Sequence, residues 1–216
     1  MKYIIVIIML LLLIQTVPAQ WEIGMIGGLN RSGLSGDKPD NASYSTLIGP
    51  AFGVLIETQL TNDVRIGLQP QYLQRGSKIA YKVRGERDPV DSLNFKIDYV
   101  TIPVMFKVYA SNKRTYLISG LDVGIPVNAT IVDLNGSEKL DVLDRLKTVD
   151  IGVNIGFGVR FPLNQFHLAC ELRYIQGLFN LNDPLPEEGS PVNFAIRSTG
   201  LQLFGSISLP FGKQRD

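Results

Sequence analysis

Val149-Asp150-Ile151-Gly152-Val153-Asn154-Ile155-Gly156-Phe157-Gly158-Val159-Arg160-Phe161-Pro162 is the stretch that decides the fold. Its odd positions are Val, Ile, Val, Ile, Phe, Val and Phe. Its even positions are Asp, Gly, Asn, Gly, Gly, Arg and Pro. A helix would mix the two sets around its circumference. A strand separates them completely, because successive side chains point to opposite faces.

The same separation recurs on both sides of this stretch. Phe166, Leu168, Cys170, Leu172 and Tyr174 oppose His167, Ala169, Glu171 and Arg173. Val64, Ile66, Leu68 and Tyr72 oppose Arg65, Gly67, Gln69 and Gln71. Val100, Ile102, Val104, Phe106 and Val108 oppose Thr101, Pro103, Met105 and Lys107. Leu201, Leu203, Ile207 and Leu209 oppose Gly200, Gln202, Ser206 and Ser208. Weaker alternation over 21–30, 49–59 and 115–127 brings the expectation to about eight strands. Short turns fall at Leu60–Asp63, Ala110–Arg114 and Leu163–Gln165. Long polar loops fall at about 32–47, 77–95, 130–147 and 179–197. Strict short–long alternation is the pattern of an outer-membrane barrel, with tight periplasmic turns and longer outside loops. An even strand number then places both termini in the periplasm. Strands of this size match the roughly 9–11 residues that cross a bilayer on a tilt.

The N-terminus agrees with that compartment. Lys2 precedes an apolar run from Ile4 to Ile14, and Val17 and Ala19 supply small residues before Gln20. This is the pattern of a cleaved secretory leader over 1–19, followed by one barrel domain over 20–216. The run is shorter than the roughly 20 residues of a spanning helix. The lack of a cysteine near the cleavage position argues against a lipid anchor. Across the chain 21 basic residues meet 20 acidic ones. That near-neutrality argues against a nucleic-acid partner, which would want a basic patch. One cysteine, Cys170, allows no internal disulfide, and one histidine, His167, allows no zinc-type cluster.

A soluble β-sandwich also alternates, but its exposed face would be rich in Lys, Glu and Thr. In this chain the non-apolar face is dominated by Gly, Ser, Asn and Gln, with a few charges of both signs. Small residues suit the crowded interior of an eight-stranded barrel. Closure also removes the sheet edges that hydrocarbon does not tolerate. Trp21, Tyr72, Tyr109, Tyr116, Phe161, Phe166, Tyr174 and Phe211 lie near strand ends and are expected in interfacial girdles. The expected fold class is all-β, an eight-stranded antiparallel up-and-down transmembrane β-barrel.

Four segments carry a family resemblance: Gly27-Gly28-Leu29-Asn30, Gln71-Tyr72-Leu73-Gln74-Arg75-Gly76-Ser77-Lys78, Tyr99-Val100-Thr101-Ile102-Pro103-Val104 and Arg173-Tyr174-Ile175-Gln176-Gly177-Leu178. In this order they resemble the PorT-type outer-membrane β-barrel proteins of Bacteroidota, over nearly all of the chain after the leader. The resemblance implies the fold, the location and, through one named member, assistance to protein secretion. One departure is the C-terminus. The family usually ends on an aromatic, whereas Phe211 is followed by Gly212-Lys213-Gln214-Arg215-Asp216.

Parity sets a group of charges on the inward face: Glu22, Glu57, Asp122, Asp150 and Glu171 against Arg65, Lys107, Arg160 and Arg173, with His167 among them. Buried charges are costly unless paired. The expectation is a salt-bridged lumen network that fills the barrel, and the second reading is a gate or polar permeation path. Glu57 and Arg65 flank one turn and are expected to face each other; Arg160 and His167 flank another. No Gly-x-Ser-x-Gly elbow exists. His167 has Ser206 and Ser208 near it in height, but nothing in the sequence places either against it. No cofactor is expected. Gly24, Gly27 and Gly28 are expected to relieve crowding inside the first strand. Asp133, Glu138 and Asp141 are the one group considered for a divalent cation with lipopolysaccharide. Val142 to Lys147 is expected to form a short helical turn.

The expected function is a non-enzymatic membrane or interaction module that assists protein secretion. Its partners are outer-membrane lipid, lipopolysaccharide, and a protein met through loops 77–95, 130–147 and 179–197. The alternatives are a small pore or transporter, and a lipid-modifying enzyme using His167.

Overall fold

The computed structural model describes residues 20–36, 42–81, 91–133, 139–179 and 196–211. The expected leader, residue Glu138 and most of loop 179–197 lie outside the described residues. Among the described residues eleven strands follow in chain order: β1 (Trp21–Gly36), β2 (Ala42–Gln59), β3 (Val64–Leu68), β4 (Gln71–Tyr81), β5 (Asp91–Thr101), β6 (Val104–Tyr109), β7 (Thr115–Asp133), β8 (Lys139–Asp141), β9 (Asp150–Pro162), β10 (His167–Gly177) and β11 (Ile196–Phe211). Every pairing among them is antiparallel.

These eleven segments make eight staves. β3 and β4 are two halves of one stave, interrupted at Gln69-Pro70; β5 and β6 are halves of the next, interrupted at Ile102-Pro103. Proline has no N–H for the ladder, which is why both breaks fall there. The neighbouring groups still bond: Gln69 N donates to Pro103 O at 3.0 Å, and Val54 N donates to Pro70 O at 3.0 Å. Side-chain parity passes through both breaks unchanged. Arg65, Gln69, Gln71 and Arg75 are all buried, as are Thr101, Met105 and Lys107. The small β8 adds only to the end of β7.

β1 is paired on both sides, with β2 and with β11, so among the described residues the eight staves pair in a closed ring, a barrel. Trp21 is level with Phe211 in this register, so the chain enters and leaves at one end, here the terminal end. The three short turns share that end. The longer connections lie at the other, the loop end.

The staves are longer than the sequence reading anticipates. β2 has 18 residues and β7 has 19. An 18-residue strand spans roughly 60 Å, far more than a tilted crossing of a core about 30 Å thick requires. The surplus is at the loop end, where β1, β4, β5 and β7 run on into stretches expected to be loop. Their polar residues stay in register because the hairpin ladder continues to satisfy the backbone. Loop 130–147 departs furthest. It contains the end of β7, β8, and a 3-10 turn at Leu143–Arg145, the helical turn expected there.

The outward face is apolar. Met25, Ile48, Leu117 and Ile155 are each more than 60% exposed. Across the waist, Leu29, Leu203, Leu172, Phe157 and Leu117 are paired neighbours on successive staves. Such a belt suits hydrocarbon and not water. Above it toward the loop end, polar side chains appear on the outer face. Arg31 Nε donates to Thr46 Oγ1 at 3.0 Å, and Gln74 Nε2 and Asn128 Nδ2 each donate to the Asp98 carboxylate at 2.9 Å. A Phe157→Arg substitution in the middle of the belt is expected to destabilise the folded protein by about 2–4 kcal/mol. Urea unfolding in lipid vesicles measures this; an effect near zero would mean that the belt does not face lipid.

Of the glycines singled out in β1, Gly24 and Gly28 lie where a Cβ would come within 2.2 Å and 2.0 Å of carbonyl oxygens of β11. A Cβ at Gly27 would meet only Ala51 O, at an ordinary contact distance of 3.8 Å, so only two of the three relieve crowding.

Candidate functional site

The barrel interior holds the charged residues in three tiers. The tier nearest the terminal end centres on Glu22. Arg65 Nη1 donates to its carboxylate, Arg160 Nη2 donates to Oε2 at 2.6 Å, and Ser208 Oγ donates to Oε1. His167 Nδ1 lies 2.5 Å from Arg160 Nη2 and 3.0 Å from Glu22 Oε1. A proton on Nδ1 bonds Glu22; without it the ring nitrogen accepts from Arg160. In the register Glu22 stands directly opposite Glu57. Like charges so placed repel, and they are relieved by turning to different cations.

Glu57 turns to the middle tier. Lys107 Nζ bridges the Glu57 carboxylate and Glu171 Oε1, the latter at 2.8 Å. Arg173 Nε donates to Glu171 Oε2 at 2.8 Å, and its Nη2 donates to Gln69 Oε1 at 2.7 Å. Tyr116 OH adds a bond to Glu171 Oε1 at 2.6 Å. Glu171 therefore accepts from three different side chains. The Arg173 guanidinium stacks 4.7 Å from the Phe204 ring centre. Gly158 makes room for this tier: a Cβ there would lie 2.4–2.7 Å from the Tyr116 ring and hydroxyl. Gly158→Val is expected to displace Tyr116 from Glu171 and cost about 1–3 kcal/mol, the range for overpacking. A denaturation midpoint equal to the parent's would contradict it.

The third tier centres on Arg75. Its Nη2 donates to Asp122 Oδ2 at 2.7 Å and its Nη1 to Asp150 Oδ2 at 2.8 Å, with the Tyr99 ring 4.8 Å away. Toward the loop end from it lies an apolar cluster. Val142 is buried against Ile97, Tyr99 and Ala129, with Leu143 and Leu146 alongside. A segment expected to be a polar loop thus packs apolar side chains against β5 and β7.

All ten residues expected in the lumen network lie inside the barrel, but their partners differ from those expected. Arg65 is opposite Gln59 in the ladder and Glu57 is opposite Gly67. The two flank a turn without meeting, because the register offsets them by two positions. Arg160 and His167 do meet. The eleventh member is Arg75, which balances five carboxylates against five cations. The alternation that sets Arg65, Gly67, Gln69 and Gln71 inward continues to it through Leu73, so parity was the available signal. Tyr109 and Tyr116 are corrections: neither sits in an outer girdle. Both share the inward parity of Lys107 and Ile118, and their rings lie 4.8 Å apart. Trp21, Phe161, Tyr174 and Phe211 do face outward, and all four are exposed.

Between the first two tiers lies a pocket of about 10 Å³, lined by Glu22, Glu57, Lys107, Tyr116 and Arg160. That is about room for one water. His167 and Ser208 are register partners, yet both turn to Glu22. A nucleophilic pair needs the serine proton on the imidazole; here Glu22 takes the Ser208 hydrogen bond. Asp141 Oδ1 accepts from Leu143 N, the first residue of the 3-10 turn, at 3.0 Å.

With closure, an apolar outside and a polar inside established, the sequence match is decisive. The family model described as outer membrane protein beta-barrel domain matches residues 15–183. The chain belongs to this family. It is thus an outer-membrane β-barrel, and its location is the outer membrane. Among curated proteins none matches. Solved structures of similar shape include Neisserial surface protein A (14% identity, TM-score 0.47, 89% of this chain and 99% of that one). They also include the attachment invasion locus protein Ail of Yersinia pestis (13%, 0.42, 87% and 98%) and the outer membrane protease OmpT of Escherichia coli (8%, 0.38, 89% and 96%).

Proposed function

We propose that this outer-membrane protein is a non-enzymatic anchoring and interaction module, a filled barrel that holds its loop end and mouths in place for a protein partner. The observation that carries the reading is the interior. Among the described residues it holds three tiers of paired charge, apolar side chains between them and the cluster around Val142. A packed lumen suits a rigid support better than a conduit. The reading that His167 serves a lipid-modifying enzyme loses ground, because Ser208 is bonded to Glu22 rather than to the imidazole.

The finer reading is that the partner belongs to a protein-secretion system, as the resemblance to PorT-type proteins of Bacteroidota suggests. In it both termini lie in the periplasm, which suits the shared terminal end of an even-staved barrel. The loops at 77–95, 130–147 and 179–197 then face outward, toward lipopolysaccharide and the protein partner. A deletion strain tests this. The expected result is loss of particular exported proteins from the medium, with uptake of small hydrophilic dyes unchanged. An unchanged set of exported proteins with reduced uptake of small solutes would reject it in favour of a small pore.

A further inference from the structure

A cup of about 390 Å³ opens at the terminal end of the barrel, lined by Gln20, Arg65, Tyr109, Lys113, Arg160 and His167 among others. Its charge does not balance. Arg65 and Arg160 share the single carboxylate of Glu22, which leaves one positive charge in excess. The middle tier below is neutral, with Glu57 and Glu171 against Lys107 and Arg173. The deficit of positive charge falls in the far tier, where Asp122 and Asp150 share Arg75. Among the described residues the three tiers are thus neutral together but positive at this mouth.

Both guanidiniums at the mouth are held in place. Their carbons lie 5.9 Å and 5.7 Å from the centre of one Tyr109 ring. Gln20 Oε1 accepts from Arg65 Nη2 at 3.4 Å. At the rim, Lys113 Nζ donates to Asn62 O at 3.0 Å and pairs with Asp63. The two guanidiniums share the Glu22 carboxylate, with Gln20 and His167 as neutral partners, and guanidinium forks recognise oxyanions through parallel charge-assisted hydrogen bonds.

We propose that this cup is a binding site for an oxyanion group, a phosphate or a carboxylate. Burial of the two arginines strengthens the attraction, and the mouth supplies the route in. The cup exceeds the space of one small ion, so it admits the group while attached to a larger molecule.

The test uses the full barrel in uncharged detergent, with folding verified by heat-modifiable migration on a gel. Calorimetric titration with inorganic phosphate, phenyl phosphate and acetate reads the affinity. One site per barrel is expected, weakening as salt rises. Arg65→Gln should weaken binding by about tenfold or more, and Lys113→Gln, at the exposed rim, by about threefold. Glu22→Gln removes the competing carboxylate and should tighten binding by about tenfold, a gain that partial unfolding does not produce. Binding of both phosphates assigns a phosphate group carried on a larger molecule; inorganic phosphate alone assigns the free ion; acetate binding as tightly assigns a carboxylate. No binding of any of the three to the parent and to Glu22→Gln, or affinities unmoved by Arg65→Gln, would overturn the proposal.

Discussion

Arg75→Met is expected to destabilise the barrel by about 3–5 kcal/mol, the range for removing one partner of a buried ion pair. Arg75 is 3% exposed and is the cation that both Asp122 and Asp150 contact. Without it two buried carboxylates share one space, and their mutual repulsion adds to the lost pairing. The distinguishing result is rescue. Adding Asp122→Asn and Asp150→Asn to Arg75→Met removes the stranded charges and should recover most of the loss. The readout is the urea midpoint of the vesicle-inserted protein at constant slope. A single-variant loss below about 1 kcal/mol would mean that the tier is hydrated and weakly coupled.

Glu171→Ala is expected to be of similar size, about 3–5 kcal/mol, for a different reason. The Glu171 carboxylate takes hydrogen bonds from Lys107, Arg173 and Tyr116. Lys107 keeps Glu57 after the substitution, but Arg173 keeps only Gln69 and the Phe204 ring. A guanidinium 1% exposed is then left without a carboxylate. Glu171→Gln preserves the shape and one acceptor oxygen, so it should cost clearly less than Glu171→Ala. Equal losses would show that the tier depends on packing and not on charge. The same variants report on cooperativity. If the tiers act as separate units, Arg75→Met and Glu171→Ala add within about 0.5 kcal/mol.

Much of this arrangement is legible in the sequence. Period-two alternation separates lipid-facing Phe157 and Leu172 from inward Asn154 and Glu171 without ambiguity, because a strand has only two faces. What alternation cannot supply is stagger. Glu57 and Arg65 flank a four-residue turn, yet the ladder sets Gln59 opposite Arg65. The carboxylate that Arg65 meets is Glu22 on β1, two staves away across the lumen. Which charges converge depends on barrel shear and on side-chain length, and neither is local. Tyr109 and Tyr116 show a related limit. Their position near strand ends suggests a girdle, while their parity sends them inside, where Tyr116 finds room over Gly158. The inward fold of Val142 was hidden for another reason. The segment around it is rich in charge, and only the pairing of β8 with β7 brings its apolar side chain over Ile97 and Tyr99.

The central claim is that the interior is filled by paired charge and does not conduct. Single-channel recording of the purified barrel in a planar bilayer, on a preparation whose folding is verified by heat-modifiable migration, tests it most directly. The predicted result is a silent membrane for the parent protein. Steady, ohmic steps of one size would contradict it, and would make Glu22, Arg75, Lys107 and Glu171 the lining of a pore.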